Sequence, residues 1–161
     1  MIVLACGGFG FAVAAAFRRE EMALRQLIGA LEYMQCELQF RMTPLPELCR
    51  QAGREHRGEV GGFLLQLSKE LESQIAPDVA SCMVAAFAKS PPMSGRLKEG
   101  FRLLGTSLGR FDISGQISGL EAVRGYCRRE LELMADNREN RLRSYQTLGL
   151  CAGAAIAILF V

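Results

Sequence analysis

From Glu20 to Phe40 the chain places Leu24, Leu27, Ile28, Leu31, Met34 and Leu38 at intervals of three and four, which puts one apolar stripe on one face of a helix. The same spacing returns in Val60, Phe63, Leu64, Leu67 and Leu71, stopped by Pro77, and in Val79, Cys82, Met83, Ala86 and Phe87, stopped by Pro91 and Pro92. Leu97, Phe101, Leu104 and Leu108 form a further stripe, and Ile113, Ile117, Leu120, Cys127, Leu131 and Met134 the last. Between the first two stripes, "TPLPELCRQAG" restarts a short helix: Thr43 offers an N-cap hydroxyl, Pro44 takes the first helical position where a missing N–H costs nothing, and Gly53 or Gly58 ends it. No run alternates with period two. Six helices with short links predict an all-α antiparallel bundle.

One corner stands out within that pattern. "LGTSLGRFD" sets Gly105 and Gly109 four apart and closes with Asp112. Gly109 follows Leu108, the last residue of its stripe, where helices commonly exit in the left-handed conformation that glycine adopts without a Cβ penalty. Asp112 is placed to cap the next helix, with its carboxylate favoured by the helix dipole. Gly105, inside the helix, costs about 1 kcal/mol against alanine, so a close helix crossing is expected there.

Charge changes the picture at the ends. None of the 19 Lys and Arg or 17 Asp and Glu precedes Arg18 or follows Arg143. The stretch "MIVLACGGFGFAVAAAF" spans about 26 Å as a helix at about 1.5 Å per residue, just short of a hydrocarbon core of about 30 Å. "YQTLGLCAGAAIAILFV" is its counterpart at the other end, with Tyr145 where an aromatic would meet the interface. These two segments predict transmembrane helices over 1–17 and 145–161, flanking a cytoplasmic bundle over 18–144. Arg18 and Arg19 after the first, and Arg138, Arg141 and Arg143 before the second, place both inner flanks in the cytoplasm. A cleaved signal peptide is the rival for the first segment, but no positive region precedes its apolar run.

Candidate chemistry is sparse. Cys6, Cys36, Cys49, Cys82, Cys127 and Cys151 are scattered without a CxxC pair and read as small buried hydrophobes in a reducing compartment. His56 is the only histidine and reads as a surface residue beside Glu55 and Arg57. "GGFGFA" does not complete a GxGxxG nucleotide loop. With a net charge of +2 and interspersed signs, no cationic stripe interleaves with aromatics, which argues against nucleic acid. No cofactor is expected.

"LRQLIGALEYMQCELQF" with Glu37, the triplet Thr43, Pro44 and Leu45, then "LGTSLGRFD" with Gln116, then "NRENRLRSYQTLGLCAGAAIAILFV" together resemble the stage III sporulation protein AB family of endospore-forming bacteria. That family is similar in its cytoplasmic bundle to the inner-membrane platform protein of type II secretion and type IV pilus machines. The resemblance implies a component of the secretion-like channel joining mother cell to forespore, in the membrane surrounding the forespore with its central domain in the mother-cell cytoplasm. Its implied partners are a secretion-type ATPase, other membrane proteins of the channel and membrane lipid, and self-association stays open. The residues it marks are Glu37, Thr43, Pro44, Leu45, Gly105, Leu108, Gly109, Asp112 and Gln116.

Three classes of function stay open: a non-enzymatic membrane platform, a helical membrane signalling or regulatory protein, and a small cysteine- or acid-based enzyme. Catalysis has least behind it, because Cys49 and His56 are separated by an expected helix break. Sustained heptads would favour signalling, and Gly115, Gly119 and Gly125 interrupt them.

Overall fold

A computed structural model describes residues 15–73, 78–108 and 112–137 in full, and the helical backbone over 2–14 and 138–159. The helices are α1 (Ile2–Arg41), α2 (Leu45–Glu55), α3 (Gly58–Ser73), α4 (Val79–Lys89), α5 (Gly95–Ser107) and α6 (Ile113–Leu159), and among the described residues there is no strand. Each helix expected from the pattern is present. Both apolar ends are continuous with their neighbours: α1 passes Phe17 and α6 passes Tyr145 without interruption. Among the described residues no helix is long and apolar enough to cross a membrane. The side chains of both expected spans lie outside the described residues, apart from Ala15, Ala16 and Phe17.

The chain divides into two compact units, Met1–Arg128 and Arg129–Val161, the second comprising the rest of α6 and the C-terminal residues. In the first unit each helix runs antiparallel to the one before it, as cross-helix contacts such as Tyr33 with Gln51 and Arg50 with Glu72 require. Its core is built largely from the expected stripes: Leu24, Leu27, Leu31 and Met34 of α1, Leu64 and Leu67 of α3, Leu97 and Leu104 of α5 and Leu120 of α6 are buried. Leu48 and Ala52 of α2 and Val123 of α6 join them from outside the stripes, whereas Ile28 is half-buried and Ile113 exposed. Phe63 packs between Phe87 and Phe101, with ring centroids at 4.7 and 4.1 Å in tilted geometry. A fully buried Phe contributes about 1.5–3 kcal/mol.

Helix starts obey local chemistry. Asp78 accepts from the Ser81 N–H at the start of α4, Ser94 from the Leu97 N–H at the start of α5, and Asp112 from the Gly115 N–H at 3.0 Å at the start of α6. The expected Asp112 cap is therefore present. Thr43 departs from expectation. Pro44 occupies the N-cap position of α2 without a side-chain cap, Pro46 stands at the second helical position, and the Thr43 hydroxyl donates to Glu37 at 3.0 Å instead. The carboxylate wins because a charge-assisted hydrogen bond is stronger than a neutral one to a backbone amide. Met42, at φ 51°, makes the turn that brings the two together.

Of the two glycines expected to end α2, Gly58 is the one at the turn, and one further expectation, for His56, changes. Gly53 lies inside α2, and the turn to α3 is made at Gly58, whose φ is +74°. His56 is half-buried rather than on the surface: its Nδ1 lies 3.0 Å from the Ala52 carbonyl and its Nε2 sits against Gly29 of α1. The tightest crossing in the unit is here, where a Cβ on Gly61 would overlap the His56 carbonyl oxygen and lie 2.8 Å from that of Gly53.

Candidate interaction surface

Hydrogen bonds and ion pairs fix the register of the first unit. At one end Arg96 of α5 pairs with Glu20 of α1 at 3.2 Å. Further along α1, Glu32 meets Arg124 and Arg128 of α6 at 3.6 and 3.5 Å, and Gln35 donates to Glu121 at 3.1 Å. The more exposed of these pairs add little stability, but together they set alignment. At about 1.5 Å per residue, Phe40 lies about 8 Å beyond Gln35 on α1, and Ile113 about 12 Å before Glu121 on the antiparallel α6. The α1–α2 corner and the start of α6 therefore share one end of the bundle.

The end of α5 joins them. A Cβ on Gly119 would overlap the Ser107 side chain, so the last residue of α5 rests directly on α6. Leu108 is fully buried and leaves α5 extended, at φ −79° and ψ 140°. Gly109 lies outside the described residues. Gly105 is buried in the helix as expected of a crossing: a Cβ there would meet the Met83 Cε at 3.0 Å. Sequence motifs far apart along the chain are thus brought to one tip.

At that tip Glu37 accepts from Thr43 and pairs with Arg41 at 3.5 Å, which closes the α1–α2 corner on itself. Burial raises the pKa of nearby Tyr33, and the Glu37 and Glu55 carboxylates raise it further; its hydroxyl donates to Gln51 at 2.9 Å. Pro44 is exposed, Leu45 and Gln116 are half-buried, and Asp112 is exposed while serving as a cap. Phe40 and Met42, which sequence reasoning passed over, are 79% and 71% exposed, and Ile113 is also exposed. Phe40 and Met42 stand off the apolar stripes, whereas Ile113 is expected within the last stripe and is exposed instead.

Arg18 and Arg19 lie at the opposite end of the unit and are exposed; the side chains of Arg138, Arg141 and Arg143 lie outside the described residues. Among the described cysteines Cys49, Cys82 and Cys127 are buried, whereas Cys36 is exposed, contrary to expectation. Burial pushes the Cys49 thiol up to about 12 and also raises that of Cys82. Neither is poised to act as a thiolate at neutral pH. Among the described residues no group of three or more His, Cys, Asp and Glu could hold a metal ion.

The family model of stage III sporulation protein AB matches residues 1–161. A solved structure of a stage III sporulation protein AB aligns with a TM-score of 0.63 at 15% identity, covering 76% of this chain and 98% of that one. At that identity the likeness is one of fold. No curated protein matches the chain.

Proposed function

The chain belongs to the stage III sporulation protein AB family, and we propose that it is a non-enzymatic platform of the secretion-like channel between mother cell and forespore, linking a cytoplasmic ATPase to the membrane part of the complex. The observation that carries this reading is the polarity of the first unit. α1 enters at one end beside Arg18 and Arg19, while the family-like corners and the exposed Phe40, Met42 and Ile113 gather at the other. A platform needs that division: one end tied to the bilayer, the other presented to a cytoplasmic partner. The terminal apolar segments over 1–17 and 145–161 are the two spans, and the continuous helices α1 and α6 connect them to the bundle. Buried thiols with raised pKa values and a histidine engaged in capping a helix support a role without catalysis.

The reading is tested by purifying the full chain from membranes together with a secretion-type ATPase from the same cells. Co-assembly as a stable complex is expected; two proteins that migrate independently under mild detergent would overturn the platform role and favour a signalling one. Topology is tested at Cys36, whose exposure makes it a better reporter than the buried Cys49 and Cys82. A membrane-impermeant maleimide should label Cys36 only after permeabilisation. Labelling in intact cells would reverse the orientation.

A further inference from the structure

We infer that the groove between α4 and α5 docks a partner helix whose apolar stripe is bordered by carboxylates, an interaction separate from the tip and independent of the ATPase reading. The α4 sequence, "VASCMVAAFAK", carries no charge before Lys89 and is apolar or small all the way round. Helices of that composition are normally enclosed. Yet α4 packs against α3 and α5, and its other side, with Ala80, Val84 and Ala88, is exposed, Val84 at 70%.

Along this side runs a groove of about 340 Å³ with Met83 and Phe87 among its lining residues. Gly105 shapes it: lacking a side chain, it lets Met83 approach and leaves the α5 wall low. The two charged residues lining the groove are both cationic, Lys98 and Arg102, and no carboxylate lines it. Lys98 holds its ammonium 5.5 Å from the centre of the Phe87 ring, and no carboxylate partners it among the described residues. Arg102 is forked onto Glu99 outside the groove at 2.8 and 2.9 Å, which holds the guanidinium at the rim. An amphipathic helix presents anchors at i, i+3, i+4 and i+7 to such a groove. Flanking Glu or Asp would meet the two cations, whereas flanking Lys would face like charge at the rim.

The test is made in the full chain in sporulating cells, with the photo-crosslinking residue p-benzoylphenylalanine replacing Val84 and the adduct mapped to the cross-linked peptide. An acidic amphipathic helix of another protein is expected, and the adduct should fall at least tenfold when Lys98→Glu and Arg102→Glu are added. The neutral pair Lys98→Gln and Arg102→Gln should cause an intermediate loss, which keeps the test valid if the reversed variant folds poorly. Mapping to a second copy of this chain, to lipid or to a basic segment would overturn the proposal. So would an absent adduct, or one unchanged by the charge variants. Because the readout is at Val84, these outcomes leave binding of an ATPase at the tip to stand or fall separately.

Discussion

The α2–α3 crossing and the α4–α5 crossing are both built on a glycine, yet they differ in what the glycine faces. At Gly61 the neighbour is backbone, the His56 and Gly53 carbonyls, and there is no side chain that could move aside. At Gly105 the neighbour is the Met83 side chain, whose Cε, Cγ and Cβ would lie 3.0, 3.2 and 3.4 Å from an added Cβ. The first crossing is closed by main-chain contact and the second by a side chain that can adjust. The α2–α3 crossing therefore leaves no room for a side chain at its glycine, whereas the α4–α5 crossing is bounded by a side chain.

Gly61 puts this contrast to its severest trial. Gly61→Ala should cost about 3 kcal/mol or more, because a Cβ cannot be placed without moving one helix off the other. Urea unfolding of the full chain that shows less than about 1 kcal/mol would mean the crossing yields as easily as the other. Gly119→Ala comes next, at about 2 kcal/mol, since the Ser107 side chain and backbone stand against it. Adding Ser107→Gly should recover part of that loss, a coupling readable in a double-mutant cycle. Asp112→Ala should cost about 1 kcal/mol through the lost cap. Gly105→Ala should fall within about 1 kcal/mol of zero, because improved helix propensity offsets the few tenths of an ångström that Met83 must give. A loss there as large as at Gly61 would erase the distinction.

A still smaller effect is electrostatic. The Lys89 ammonium, at 2.9 and 3.0 Å, and Gln66 hold the Glu70 carboxyl below its ordinary 4.5. A pKa lowered by folding gives stability that is present above the ordinary value and lost as pH falls through the folded one. Lys89→Met should lower the melting temperature on the neutral plateau and leave it nearly unchanged at low pH, where Glu70 is protonated in either chain, so that the acid limb becomes shallower. A loss as large at low pH as on the plateau would show that Lys89 acts by packing its stem.

The two crossings also mark the boundary of what is legible in the sequence. Helix faces are legible because burial imposes the spacing of Leu24, Leu27, Leu31 and Met34 directly on the chain. Asp112 is legible because a cap is a local event. Thr43 misleads because its competing acceptor, Glu37, belongs to the preceding helix and reaches it only through the positive φ of Met42. The contact of Gly61 with the His56 and Gly53 carbonyls is set by the packing of two helices, and neither glycine announces it. The tip combines both cases. Its family-like motifs can be quoted from the chain, but their convergence with Phe40 and Met42 depends on the antiparallel register that Gln35 and Glu121 hold.

The proposed platform role predicts that an ATPase docks at that tip, on the end of the bundle away from Arg18 and Arg19. The decisive quantity is the affinity of the purified ATPase for the full chain and for Phe40→Glu/Met42→Glu. Because both side chains are mostly exposed, the melting temperature should stay within the small range of surface substitutions. Binding should weaken at least tenfold, since charges replace the apolar centre of the contact. Unchanged affinity in a variant that melts like the parent would refute ATPase docking at the tip and move the partner surface elsewhere on the bundle.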